Sequence, residues 1–154
     1  MDKNIGILSH EVTYRRFRIN NDRVGRVFHI LSISEYIALY AIMKSISQTE
    51  QEHKIFLKDI ASEMDIPLGH ASKIARNLKD KGYIIWTHEG TGNEGTYIEV
   101  TESGIRNLTE QERILKEYYQ NIINQIGQEK LMQWLLLTQE IETVMEQEAS
   151  KMED

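Results

Sequence analysis

The stretch that most constrains the fold is residues 57–82, LKDIASEMDIPLGHASKIARNLKDKG, in which two short helical patterns surround a break. Apolar residues recur at helical spacing in both halves, at Leu57, Ile60, Ala61 and Met64 and then at Ala71, Ile74, Ala75 and Leu78. Pro67 has no backbone N–H and biases the preceding residue away from the α region, so the first helix should end near Met64. Small alanines on both stripes allow close packing at a steep angle. The pattern predicts a helix-turn-helix.

The second helix of this pair has a polar side that points away from its apolar stripe. The polar side and its flanks carry Gly69, His70, Ser72, Lys73, Arg76, Asn77 and Asp80. Arg and Lys bind guanine or phosphate, Asn binds adenine, and a glycine near a helix N-terminus lets a phosphate approach. This combination is typical of a helix that reads nucleic acid. A merely solvated face would have a similar composition, and helix-turn-helix pairs also serve for packing alone.

A β-hairpin follows the second helix. Lys81 and Gly82 form a helix C-terminal stop, and residues 83–87 and 96–100 are both β-prone. The loop between them contains a literal G-x-G-x-x-G at residues 90–95. A dinucleotide site needs this motif to open a helix, whereas a strand follows here, so a hairpin tip is favoured. A helix-turn-helix with a hairpin predicts a winged helix, mainly α with a small β-hairpin wing.

Helical patterns also precede the winged helix. Apolar residues in 7–31 have a loose helical period that residues 20–22 interrupt, and the sequence leaves open whether this segment is one bent helix or two. Ser32 and Glu35 form a capping box that opens a helix to about Ile46. The residues expected on the buried side of this helix are Ile33, Ile37, Tyr40, Ala41 and Met43. Lys54, Ile55 and Phe56 fit a short edge strand.

Two further helices are predicted after the hairpin. Thr101 is the expected N-cap of a long helix, which Gly127 ends or kinks. A last helix should cover residues 128–148. Its apolar band consists of Leu131, Trp134, Leu135, Leu136, Leu137, Ile141, Val144 and Met145. Such a wide band favours burial against another subunit, with packing inside one chain as the alternative.

The order of these elements resembles the MarR family of bacterial transcriptional regulators across nearly the whole chain. The most specific residues of the resemblance are Leu57-x-x-Ile60-Ala61, then Ser72-Lys73-x-x-x-Asn77-Leu78-x-x-Lys81-Gly82-Tyr83-Ile84, and Val100-Thr101-Glu102-x-Gly104. The family implies a homodimer joined through N- and C-terminal helices, here residues 1–31 and 102–154, around a winged helix-turn-helix lobe in residues 32–101. It also implies that the second helix lies in the DNA major groove and the wing beside the minor groove.

The resemblance further implies a small effector molecule. Many members release DNA when a small, often aromatic, molecule binds between the dimer helices and the DNA-binding lobe. The segments that line this crevice carry Phe28, His29, Tyr36, Tyr40 and Tyr118 here. Their rings and polar tips suit an aromatic acid or a phenol, although ordinary core packing explains them equally well.

The wing departs from the family pattern. Family wings usually carry an Asp-x-Arg element whose arginine reaches the minor groove, but the matching stretch here is Asn93-Glu94-Gly95. No Lys or Arg occurs between Gly82 and Arg106. Either His88 and backbone donors of the wing contact DNA in a lesser role, or DNA affinity rests on the second helix and the N-terminal arginines. The arginine-free wing and the net charge of −6 keep a second hypothesis open, a winged-helix protein-interaction module that has lost DNA binding.

The composition of the chain excludes several other classes of protein. The 154 residues contain no Cys, which excludes disulfides and thiolate metal sites. The five histidines are scattered without zinc-ligand spacing, and no catalytic arrangement is recognisable, so we expect no metal, no cofactor and no enzyme activity. No signal-peptide core or membrane-length apolar run occurs, and a cytoplasmic location is expected. Together with these exclusions, the resemblance to the MarR family implies a transcriptional regulator, most simply a repressor, that binds double-stranded DNA as a homodimer.

Overall fold

The computed structural model describes residues 3–20, 25–48, 55–88 and 96–153. The chain divides into two compact units, Met1–Arg113 and Ile114–Asp154. Its elements are α1 (Lys3–Asn20), α2 (Ile33–Gln48), β1 (Ile55–Phe56), α3 (Leu57–Glu63), α4 (Leu68–Asp80), β2 (Ile84–His88), β3 (Thr96–Val100), α5 (Glu102–Ile126) and α6 (Gln128–Ser150). This order confirms the predicted mainly α fold with a winged helix-turn-helix.

The core of the first unit lies where α2, α3 and α4 pack against the sheet. The predicted stripe of α4 is confirmed, because Ala71, Ile74, Ala75 and Leu78 are all buried. On α3 the buried residues are Ile60 and Ala61, flanked by half-buried Leu57 and Met64. The helix pair therefore places its apolar stripes inward, and the opposite side of α4 faces outward.

The two helices of the pair end in the same type of backbone motif. After α3, Asp65 adopts φ 51° and the Ile66 N–H donates to the carbonyl oxygen five residues earlier at 3.0 Å. After α4, Gly82 adopts φ 74° and the Tyr83 N–H donates to the carbonyl oxygen five residues earlier at 2.9 Å. A left-handed residue with this hydrogen bond caps a helix C-terminus. The first helix thus ends at the predicted place, and Asp65 makes the turn together with Pro67.

The wing is part of a three-stranded antiparallel sheet with strand order β1-β3-β2. Ile55 and Trp86 both pair with Ile98 of the central strand, and Ile84 pairs with Val100. The inner face of the sheet is apolar, because Ile55, Ile84 and Ile98 are buried. The predicted edge strand is confirmed at β1, whereas Lys54 and the hairpin tip at residues 89–95 lie outside the described residues.

The start of α2 confirms the predicted capping box. The Glu35 N–H donates to Ser32 Oγ at 3.2 Å, and the Ser32 N–H donates to Glu35 Oε2 at 3.0 Å. The same carboxylate oxygen accepts a hydrogen bond from Lys81 Nζ at 2.8 Å. Glu35 is buried, so this ion pair ties the start of α2 to the end of α4.

The buried side predicted for α2 is wrong for Ile33, Ile37 and Tyr40, whose side chains are 54%, 42% and 48% exposed. Ala41 is buried as predicted and Met43 is half-buried. The residues that face the core are Glu35, Ala38, Leu39, Ala41 and Ile42. Apolar residues surround most of this helix, so its periodicity does not identify the inner face.

The segment that precedes α2, residues 25–32, is hydrogen-bonded to a buried glutamine side chain. Gln111 of α5 is fully buried, its Nε2 donates to the Val27 carbonyl at 2.9 Å, and its Oε1 accepts from the Leu31 N–H at 3.4 Å. The helix before this connection is continuous to Asn20, and residues 21–24 lie outside the described part of the chain. The predicted break at residues 20–22 is therefore described only as far as the end of α1.

The two long C-terminal helices begin where predicted, and the last one ends at Ser150, two residues beyond the predicted end. Thr101 caps α5, since its Oγ1 accepts from the Gly104 N–H at 3.0 Å. Gly127, with φ 88°, separates α5 from α6 and confirms the predicted break. No side chain of α6 is buried within the described chain. In the part of the protein that the structure describes, no helix is long and apolar enough to cross a bilayer.

Candidate nucleic-acid interface

The outward side of α4 carries the residues predicted to contact DNA. Since four residues of the helix are buried on one side, the opposite side is fixed in space by the core. Five of the predicted residues on it are exposed and Ser72 is half-buried; the exposed ones are Gly69, His70, Lys73, Arg76 and Asn77. The structure therefore brings six of the seven predicted positions onto one helix surface.

The basic residues of this region fall into two groups. Lys79 Nζ lies 5.5 Å from the centroid of the Trp86 ring, and Lys81 is paired with Glu35. Lys73 and Arg76 have no acidic partner among the described residues. Two cations thus hold α4 to its neighbours, and two remain available for an external anion or a guanine edge.

The start of α4 is open to a close approach from outside. Pro67 precedes the helix and offers no side-chain acceptor to the first backbone N–H groups. At Gly69 a Cβ atom would meet nothing within 4 Å. The protein's own packing therefore does not require a glycine there. A missing side chain at the N-terminal end of α4 leaves space for a phosphate or a base edge.

The described part of the wing adds no positive charge to this surface, because β2 and β3 contain no Lys or Arg. Exposed Ile85 pairs with exposed Glu99 on the outer face of the hairpin. His88 ends β2 opposite Thr96, and its side chain lies outside the described residues. The expected wing contact by His88 stays a prediction.

Three of the five predicted effector residues form a row of rings. The centroids of Phe28 and Tyr36 are 5.8 Å apart, and those of Tyr36 and Tyr40 are 6.2 Å apart. Burial raises the pKa of Tyr36, and the nearby Glu112 carboxylate and Tyr40 raise it further. The Tyr36 hydroxyl therefore keeps its proton at neutral pH and is able to donate a hydrogen bond.

The other two predicted effector residues are His29 and Tyr118. His29 is exposed in the connection before α2. Tyr118 belongs to the second unit, where its ring makes an edge contact with Tyr119 at a centroid distance of 5.2 Å. Among the described residues, no group of three or more His, Asp or Glu side chains is placed to hold a metal ion.

No protein-family model matches the sequence, and no curated protein matches it. Solved structures match the fold along most of the chain. A MarR family regulator from Neisseria meningitidis superposes with a TM-score of 0.63 at 16% identity, covering 98% of this chain and 99% of that one. The chain has the fold of the MarR-family regulators.

Two further solved structures are similar to this chain. BpsR of Bordetella bronchiseptica, whose DNA binding is regulated by 6-hydroxynicotinic acid, matches with a TM-score of 0.62 at 14% identity, covering 91% of this chain and 99% of that one. A mutant of MepR from S. aureus, bound to an oligodeoxyribonucleotide, matches with a TM-score of 0.53 at 18% identity, covering 86% of this chain and 97% of that one.

Sequence reasoning missed three features of the MarR-fold chain. The partners of Lys79 and Lys81 were not predicted, because Trp86 and Glu35 lie on other elements. Gln111 gave no signal beyond being a polar residue in a helical pattern. Leu68 opens α4 and is 54% exposed, although its spacing of three and seven residues from Ala71 and Ala75 is that of the apolar stripe, so nothing in the sequence indicated its exposure.

Proposed function

We propose that this protein is a sequence-specific transcriptional regulator that binds double-stranded DNA through α4 and represses transcription as a homodimer. The observation that carries the proposal is the outward side of α4. There Lys73 and Arg76 are exposed and have no acidic partner among the residues that the structure describes, while the neighbouring Lys79 and Lys81 contact Trp86 and Glu35. The MarR fold supports it, since a neighbour of this fold is bound to an oligodeoxyribonucleotide.

The test is a titration of the purified protein with DNA from upstream of its own gene, at two salt concentrations. Phosphate neutralisation releases counterions, so specific binding should weaken as salt rises, with a slope set by the number of contacts. The protected site should be an inverted repeat whose half-sites lie about 34 Å apart, because two-fold symmetry of the dimer is copied in the DNA. Absence of binding to this DNA and to a random-sequence pool would favour the protein-interaction hypothesis.

The proposed homodimer rests on the apolar surface of the second unit. Trp134 and Leu137 of α6 are 50% and 56% exposed in the single chain. Trp134 also lines an apolar groove of about 340 Å³ within the second unit; its lining residues are Tyr119, Ile123, Gln128, Leu131, Met132, Trp134 and Leu135. Surfaces of this kind are normally covered by another subunit.

We expect the protein to sediment as a dimer at micromolar concentration. Trp134→Glu should shift it toward monomer, because a charge in an apolar interface loses its hydration without gaining a partner. Glu142→Gln, an exposed change on the same helix, is the control and should leave the dimer intact. A wild-type protein that sediments as a well-folded monomer would remove the basis for two-half-site recognition.

A small aromatic effector is proposed for the ring row of Phe28, Tyr36 and Tyr40. Stacked and tilted rings with a protonated Tyr36 hydroxyl suit an aromatic acid or a phenol. Such a compound should raise the melting temperature, since it binds only the folded state, and should release DNA. Tyr36→Phe, which keeps the ring but removes the hydroxyl, should weaken both effects. No response to a panel of such compounds would leave the row as core packing.

A further inference from the structure

One residue of α4 does not follow the pattern of the others. The four apolar residues at positions 71, 74, 75 and 78 are at most 5% exposed, whereas Leu68 is 54% exposed. It is the large apolar side chain that α4 presents to solvent within the described chain. More than half of the surface of Leu68 is therefore available for a contact outside the protein.

Leu68 also continues a row of candidate DNA contacts. Residues four apart lie on successive turns of one helix side, which places Leu68, Ser72 and Arg76 in line along α4. Leu68 stands at the N-terminal end of this line, next to Gly69, where a Cβ atom would have open space. In helix-turn-helix proteins the N-terminal residues of the second helix are the ones that reach base edges.

The chemistry of the side chain selects one feature of the major groove. Among the four bases only thymine presents an apolar group there, its C5-methyl, and apolar side chains recognise it. We propose that Leu68 is a specificity-determining residue that packs against a thymine methyl group in each half-site. This inference rests on the proposed DNA-binding function and adds to it a base preference at one position.

The experiment removes the methyl group from the DNA and the leucine from the protein in turn. A preferred duplex is selected from a randomised pool, and each of its thymines is replaced with uracil, which lacks only the methyl group. The wild-type protein should bind about fourfold more weakly for each contacted methyl lost, the factor that corresponds to about 0.8 kcal/mol for one buried carbon. Leu68→Ala should bind the thymine duplex more weakly and show no further loss with uracil.

Two variants control for folding and for general hydrophobicity. Leu68→Met keeps an apolar side chain and should retain the thymine preference. Ile85→Ala removes a similarly exposed aliphatic side chain from β2 and should leave the preference unchanged. Circular dichroism and sedimentation check that Leu68→Ala keeps its helices and its oligomeric state, as expected for an exposed residue.

The outcomes separate this inference from the proposed function. Equal losses on uracil in wild type and Leu68→Ala, or no loss in either, would overturn the thymine contact while DNA binding itself stands. Failure of the wild-type protein to select any duplex from the pool would overturn the DNA-binding proposal, and the thymine contact with it. The expected result is that uracil weakens binding by the wild-type protein and by Leu68→Met, but not by Leu68→Ala.

Discussion

Replacing Gly104 with alanine should lower the free energy of unfolding of the first unit by about 3 kcal/mol, the upper end of what overpacking usually costs. A Cβ at this position would lie 2.2 Å from the Tyr83 carbonyl oxygen and 2.8 Å from Val100 Cγ1. The carbonyl cannot move away cheaply, because it accepts the Thr101 N–H at 3.1 Å, in the segment that joins β3 to α5. Urea unfolding followed by circular dichroism, at fixed protein concentration, measures the change.

The matched control is Gly6→Ala in α1. This glycine is also helical, but a Cβ there would meet nothing within 4 Å. Alanine has the higher helix propensity, so this variant should be unchanged or up to about 1 kcal/mol more stable. If both variants unfolded at the wild-type urea concentration, the close approach of α5 to Tyr83 would not matter for stability.

Lys73→Ala and Arg76→Ala should produce the largest losses of DNA binding among surface variants. A lost base contact costs about 1 to 3 kcal/mol, mainly on the preferred site, whereas a lost phosphate contact weakens all sequences and lowers the salt slope by about one. Each variant is titrated with the preferred duplex and with an unrelated duplex at several salt concentrations. The two readouts assign each side chain to a base or to a phosphate.

Lys79→Met is the control on the same helix. It removes one positive charge, as the two test variants do, but the wild-type ammonium lies over the Trp86 ring. We therefore expect a small loss of affinity and an unchanged sequence preference. If Lys73→Ala and Arg76→Ala bound every duplex as the wild type does, the outward side of α4 would not contact DNA. The protein-interaction hypothesis would then replace the proposed function.

Local signals predicted the elements of this fold well. Three correctly predicted features depend on residues no more than five apart in the chain: the capping box of Ser32 and Glu35, the stop at Gly82 and the break at Gly127. Because the interacting residues are neighbours in the sequence, a short stretch is enough to predict each of these features. The α4 stripe was predictable for a related reason. Its apolar residues occupy one side only, and a helix with one apolar side has one way to face the core.

The errors fell on elements whose own sequence admits more than one arrangement. On α2, apolar residues surround the helix, so the sequence does not identify the inner face. Packing against α4 and the sheet, together with the Glu35–Lys81 ion pair, sets the orientation of the helix. As a result Leu39 and Ile42 face inward, whereas Ile37 and Tyr40 are exposed. The exposure of Leu68, for which the sequence analysis made no prediction, is also set by how α4 packs.

The sequence by itself determined which segments are helical or extended, where most of them stop, and that α4 has one polar side. Those properties depend on backbone preferences and on contacts between residues close in the chain. The tertiary structure alone decided which cations of this region have partners within the described chain. Lys79 and Lys81 contact Trp86 and Glu35 from other elements, and only folding brings these groups within reach, whereas Lys73 and Arg76 have no acidic partner among the described residues.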